Sequence, residues 1–446
     1  MNLAFDFLVR GNNAAAVRPT RIGIHSWFQT LPVSAAPVCL ASHTIPRYPP
    51  PMLGPHPFRL FANPRLGTPG ITVLPAAGFR RAKAEITAWP GYAPTPLRDL
   101  PDLARQAGIG MLCLKDEASR FGLGSFKALG GAYAVATLLL NELARTGVAP
   151  AATTADLEAG TYCAATERIT VTCATDGNHG RAVAWGAQRF HARCVIFIHA
   201  TVSQGRADAI ARYGADIRRI PGTYDDAVRD CARQAEAHNW HVVSDTAWPG
   251  YTEIPRDIMQ GYRLMADEAA DQWTGPPPTH VFIQGGVGGA AASVSVQCRS
   301  RFAPAPALIV VEPDRAACLL ASAEFGERVT IPGDLDTVMA GLACGEPSLL
   351  GWQELDRAAA AFMAIPDEAA VACLRLLATQ RIVAGESGVA GLAGCLLAIA
   401  DPAARATLGL DATSRVLLFS TEGATDPELY AKLAGVSAAH VSSRHG

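Results

Sequence analysis

Lys127 stands in the stretch RFGLGSFKALGGAYAV (Arg120–Val135), after a Gly-Ser-Phe step and just ahead of Gly130 and Gly131. Among Phe126, Ala128 and Leu129 an ammonium is costly to keep. Only the neutral amine attacks an aldehyde, so burial that lowers a lysine's pKa also activates it. A helix start with apolar walls predicts an amine held poor in charge. The plain alternative is an exposed lysine at a helix start with no chemistry.

A second stretch, FIQGGVGGAAASVSVQCRS, sets Gly285, Gly286, Gly288 and Gly289 around Val287, between an expected strand and an expected helix. Glycines let backbone N–H groups approach a ligand, and the helix adds its positive end, so the turn suits a phosphate. Gly286-x-Gly288-x-x-Ala291 also nearly matches a dinucleotide fingerprint, with Glu312 at the end of the next strand. A turn serving only tight packing is a third reading. Lys127 separates them: a nicotinamide enzyme has no use for that amine, whereas an aldehyde cofactor with one phosphate needs both amine and cradle.

A third stretch is CATDGNHGRAVAW, where Thr175, Asp176, Gly177, Asn178, His179 and Gly180 lie between strand and helix. Its N–H groups suit a substrate carboxylate, with Thr175, Asp176, Gly177 and His179 as substrate-binding candidates and the Asn178 amide in reach of a ring hydroxyl. An Asx turn capping the helix is the bland alternative. Asp245, in SDTAWPGY, is either an acid/base group or a cap for the turn before Trp248.

The elements that must position these groups alternate strand and helix from about Phe58. GMLCLKDE (Gly110–Glu117) reads as a strand, and FKALGGAYAVATLLLNELAR (Phe126–Arg145) as a buried helix. RITVTCAT, RCVIFIHA, THVFIQGG, ALIVVEP and SRVLLFS are further strands. The alternation predicts an α/β fold with parallel-rich sheets flanked by helices, and ligands at the carboxyl ends of strands. The unusual residues fall there.

The chain has 446 residues, 49% of them apolar, and a formal net charge of −2, so nothing in its charge favours nucleic acid or a membrane surface. No apolar run is long enough to span a bilayer. The 11 cysteines contain no C-x-x-C pair, which argues against disulfides and zinc and for a reducing, cytoplasmic setting; no metal is expected. Cys113 and Cys173 read as small core residues. Residues 1–57, rich in Pro and Ala, read as a disordered extension or a miscalled start.

With GSFK, DGNHG and GGVGG in this order, and with TPLRDL (Thr95–Leu100), LKDEASRFGLGSFK and GTYDDAV, the chain resembles the fold-type II pyridoxal-phosphate enzymes, the group of threonine dehydratase, tryptophan synthase β and cysteine synthase. The likeness covers nearly everything after Phe58. Within that group it is most similar to the diaminopropionate ammonia-lyases, on RFGLGSFKALGG, Asp176 ahead of Gly-Asn-His-Gly, SDTAWPGYTEIP and FSTEGATDP. Threonine dehydratases generally have serine where Asp176 stands.

The resemblance implies a large cofactor domain from residues 58–130 and 240–446, a small α/β domain from 131–239, and a homodimer. It also implies that pyridoxal 5'-phosphate joins Lys127, that Asn178 faces ring O3′, and that Gly285, Gly286, Val287, Gly288 and Gly289 hold the phosphate. Ser420, or failing it Thr421, would meet the ring nitrogen. The implied reaction is α,β-elimination of 2,3-diaminopropionate, D and L, to pyruvate and two ammonia, with Asp176 and Asp245 as paired acid/base groups. A serine/threonine dehydratase is the near alternative; a nicotinamide oxidoreductase and a silent amino-acid binder are remoter ones.

Overall fold

The alternation of strand and helix signals is realised in the computed structural model, which describes residues 52–443 apart from Asp176 and Thr223. The expected N-terminal extension lies, up to residue 51, outside the described residues. The described strands, in chain order, are β1 (Arg59–Ala62), β2 (Leu97–Asp99), β3 (Met111–Asp116), β4 (Thr170–Ala174), β5 (Arg193–His199), β6 (Asp216–Ile220), β7 (His241–Val242), β8 (His280–Gln284), β9 (Ala307–Pro313), β10 (Ala359–Ile365) and β11 (Arg415–Ser420).

They form a seven-stranded sheet in the order β1-β10-β9-β8-β11-β3-β2 and a four-stranded sheet in the order β6-β5-β4-β7. The five inner strands of the larger sheet run parallel, with antiparallel β1 and β2 at its edges. The smaller sheet is parallel throughout. Strands covered by helices on both faces read as nearly unbroken apolar runs. Accordingly β8 (HVFIQ) is buried along its length, and so is β11 (RVLLFS) after its first residue. Cys113 and Cys173 are buried within β3 and β4, as expected of small core residues. Among the described residues no single helix is long and apolar enough to cross a membrane.

Three helices bring the chemistry together. The lysine helix, Ala128–Arg145, buries every residue of its first two turns and packs on Asn178–Arg189 and Glu253–Gln272. Its seam with Glu253–Gln272 has no room for a methyl group. A Cβ at Gly261 would sit 1.9 Å from the Leu129 carbonyl oxygen, and one at Gly130 would sit 2.5 Å from Tyr262 Cε1. A Gly261→Ala substitution is therefore expected to destabilise the protein by about 3 kcal/mol, because the backbone it strikes cannot rotate away. Thermal or urea unfolding reads this directly, and an unchanged midpoint would mean that the seam can open at little cost.

A buried ionic network anchors the chain leading into Lys127. Arg120, 1% exposed, donates to Glu117 Oε2 at 2.8 Å and to Glu268 Oε2 at 2.7 Å. Lys115 Nζ donates to the same Glu268 oxygen at 2.7 Å and to the Thr95 carbonyl at 2.6 Å. Buried charges persist only when paired and hydrogen-bonded. Here the pairing joins β3, the turn before Lys127 and the Glu253–Gln272 helix into one unit. The segment LKDEASRFG earns its composition this way.

Candidate active site

Lys127, Thr175, Gly177, Asn178, His179, Asp245, Gly285, Gly286, Val287 and Gly289 line one cavity at the carboxyl ends of β4, β8 and β11. Asp176 lies outside the described residues. Gly288 shapes the turn without lining the cavity: it is the N-cap of the Gly289–Arg301 helix, in the left-handed region at φ 92°.

Lys127 precedes its helix as N-cap, and its Nζ donates to Asp245 Oδ2 at 2.6 Å, the two side chains being 22% and 18% exposed. This corrects the expectation of an amine held poor in charge. Burial does work against the ammonium, but the Asp245 carboxylate outweighs it and raises the lysine's pKa above its ordinary value. For Asp245 burial alone would favour the acid form, yet the Lys127 ammonium holds the carboxyl well below the usual carboxylate range. The sequence could not show this, because the partner comes from the turn after β7, 118 residues along the chain.

His179 Nε2 lies 2.7 Å from the Val243 carbonyl oxygen, a pure acceptor, so that nitrogen carries the proton. Its Nδ1 is buried, makes no hydrogen bond and points its lone pair toward Asp245 Oδ2, 3.8 Å away. Burial lowers the pKa of this imidazole. It is neutral at pH 7.

The glycine turn has the form expected of an anion cradle. Gly286 (φ 56°) and Gly288 (φ 92°) take backbone conformations that side chains disfavour, and Gly289 opens a 13-residue helix whose first N–H groups lack intrahelical partners. Glu312 does not play the ribose-binding part of a dinucleotide site. It is fully buried, and its carboxylate accepts the N–H groups of Leu319 and Leu320 at 2.8 Å each, capping the Cys318–Phe325 helix. The dinucleotide reading fails on that geometry.

In the Asn178 loop, Thr175 Oγ1 accepts the N–H groups of Gly177 (3.0 Å) and Gly180 (3.1 Å), so two donors expected for a substrate are already engaged. The Asn178 amide is oriented from both ends: its Nδ2 donates to the Glu422 carboxylate, and its Oδ1 accepts Arg181 Nη2 at 2.7 Å. Ser420 is the residue expected at the ring nitrogen, with Thr421 as its alternative. It is fully buried and absent from the cavity wall, its hydroxyl turned toward the Glu422 carbonyl at 3.4 Å. Thr421 lines the cavity instead, and its Oγ1 accepts Gln284 Nε2 at 2.6 Å.

Among the lining residues that carried no signal in the sequence are Glu422, Arg206 and Tyr262. Glu422 stands next to the expected hydroxyl. Arg206, from the Gln204–Ala211 helix, pairs with buried Glu386 at 2.5 Å. Tyr262 looks like any core position of an amphipathic helix.

Residues 88–421 match the family model described as pyridoxal-phosphate dependent enzyme. The chain is 42% identical over 358 residues to diaminopropionate ammonia-lyase of Escherichia coli strain K12, covering 77% of this chain and 87% of that one. It is 39% identical over 364 residues to diaminopropionate ammonia-lyase of Salmonella typhimurium, covering 76% and 88%. The crystal structure of the Escherichia coli enzyme in complex with an aminoacrylate-PLP azomethine reaction intermediate superposes with a TM-score of 0.76 at 37% identity, over 85% of this chain and 97% of that one.

Proposed function

Because this chain belongs to the pyridoxal-phosphate dependent enzymes, we propose that it eliminates ammonia from 2,3-diaminopropionate, giving pyruvate and two molecules of ammonia with the uptake of one water. The observation that carries the reading is the meeting of Lys127 with the glycine cradle in one cavity. The residues fit pyridoxal phosphate: a lysine amine for the aldehyde, a helix-start cradle for the phosphate, the Asn178 amide for ring O3′, and a hydroxyl for the ring nitrogen, assigned to Thr421 in place of Ser420. When bound, that group supplies an aldehyde carbon for amines and a ring that draws electron density from Cα. A neutral hydroxyl at the ring nitrogen makes a modest electron sink, which suits elimination of a β-group.

The protein's own groups do the rest. Lys127 must release the proton it shares with Asp245 before its nitrogen is nucleophilic, and Asp245 Oδ2 is 2.6 Å away to take it. The β-amine leaves as ammonia only when protonated, which gives Asp176 a reason to stand where threonine dehydratases carry a hydroxyl. Asp176 and Asp245 are assigned as the acid/base pair, addressing opposite faces of Cα and so admitting both enantiomers. The proposal includes a cytoplasmic homodimer, with residues 58–130 and 240–446 as its larger domain and 131–239 as its smaller one.

Pyruvate is expected from both D- and L-2,3-diaminopropionate, with serine and threonine turned over at least about tenfold more slowly, a modest margin for one differing polar group. Borohydride reduction and peptide mapping should mark Lys127. Faster turnover of serine or threonine would make the protein a dehydratase instead.

A further inference from the structure

Tyr262 is a phenol in a place where phenylalanine would suffice for packing. It is 1% exposed, its ring centroid lies 4.6 Å from that of Phe126 and 5.4 Å from Lys127 Nζ, and it lines the cavity. Gly130 admits the ring against the lysine helix, since a Cβ there would strike Tyr262 Cε1. Yet its hydroxyl is shut away from solvent and lies against the Lys127 ammonium, which can only donate, so its own proton has no acceptor. A buried hydroxyl proton without an acceptor asks for one in another state.

The Lys127–Asp245 pair supplies that other state. The carboxylate is satisfied while the ammonium donates to it at 2.6 Å. Once the lysine nitrogen is committed to an aldehyde carbon, that ammonium is gone, and Asp245 is a largely buried anion in need of a donor.

Beside its own backbone N–H, four other described titratable groups face it, namely Lys127 itself, His179, Tyr251 and Cys173. His179 spends its proton on the Val243 carbonyl and offers Asp245 only a lone pair. The Tyr251 hydroxyl donates to the Val242 carbonyl at 2.8 Å. A thiol such as Cys173 is a weak donor. Tyr262, whose hydroxyl lies in the field of both Lys127 and Asp245, has its proton uncommitted.

We propose that Tyr262 is a positioning residue for the elimination: in the loaded enzyme its hydroxyl donates to the Asp245 carboxylate, replacing the lysine ammonium and keeping that carboxylate ionised and oriented. This rests on the pyridoxal-phosphate reading above. No bond to carbon forms or breaks in the exchange, and the hydroxyl keeps its proton.

Tyr262→Phe removes one oxygen and preserves the ring. The loss of a donor raises the pKa of a carboxylate, so the acid limb of kcat/KM for diaminopropionate should move up by about one pH unit and kcat should fall about tenfold. Cofactor affinity, titrated by absorbance, and the unfolding midpoint should stay at wild-type values, which a purely structural role would not combine with a displaced pH profile. An acid limb that stays in place while the cofactor band is at full intensity overturns the assignment. So does loss of that band in the variant alone, which would make Tyr262 part of the cofactor site. A wild-type protein that takes up no pyridoxal phosphate fails at the earlier step and is recognised by the missing band.

Discussion

A protein carrying Lys127→Ala forms pyruvate from 2,3-diaminopropionate at least about a thousandfold more slowly than wild type and carries no borohydride-reducible link to pyridoxal phosphate. The size follows from the chemistry: a positioned nucleophile works at an effective concentration far above any free amine, and among the described residues no other lysine lines the cavity. The glycine cradle is untouched, so the variant still holds the phosphate and an added small amine should restore a fraction of the activity.

Lys127→Arg separates the two duties of the residue. A guanidinium keeps a cation for Asp245 but is always protonated and cannot condense. The arginine variant should therefore be as inactive as the alanine one yet more stable, because alanine leaves Asp245, 18% exposed, without its counter-charge. Comparable unfolding midpoints for the two would show that the ion pair contributes little to the fold. Retained activity in either would end the assignment of Lys127.

Asp245→Asn has the second largest expected effect, with opposite signs in two measurements. Turnover should fall about 100- to 10,000-fold for the enantiomer whose Cα proton Asp245 meets, the usual cost of losing a positioned general base, and much less for the other. Deuterium exchange at Cα, followed separately for D and L substrate, tests this; unchanged exchange for both removes Asp245 from the chemistry.

The second measurement concerns Lys127. Its pKa is raised because the carboxylate outweighs burial. With an amide in that position the largest opposition to burial is removed, so the lysine's pKa falls and its neutral form becomes accessible at lower pH. Uptake of pyridoxal phosphate by the stripped protein, timed by absorbance across pH, should be faster for Asp245→Asn than for wild type on the acid side of neutrality. A slower uptake would mean that Asp245 chiefly serves to take the lysine's proton rather than to hold it.

The parts of the site legible in the sequence are those whose chemistry is local. Glycines flanking Val287 between a strand and a helix read as a phosphate turn, a dinucleotide turn or mere packing, and the lysine of GSFK is what favours the phosphate. The charge state of Lys127 was not legible, because it depends on an aspartate from the turn after β7, and local apolar flanks gave the wrong sign. Ser420 against Thr421 is a question of parity: side chains alternate along a strand, so at the end of β11 one step of register turns a cavity hydroxyl into a core one. Glu312 had the right spacing for a ribose contact but is spent on a helix cap. Tyr262 gave no signal because a residue in a helical run announces its burial and not what it is buried against. The α/β alternation and the helix carrying Lys127 were legible throughout, the helix running from Ala128 rather than Phe126.

The seam between the lysine helix and Glu253–Gln272 has one more consequence. With the Leu129 carbonyl where a methyl on Gly261 would sit, and the Tyr262 ring where one on Gly130 would sit, neither helix can slide along the other. The amine and the phenol are thus two marks on one ruler, and drift that shifts either shifts both. New substrate preferences would then have to be drafted elsewhere in the cavity lining, for example at the Arg206 side chain.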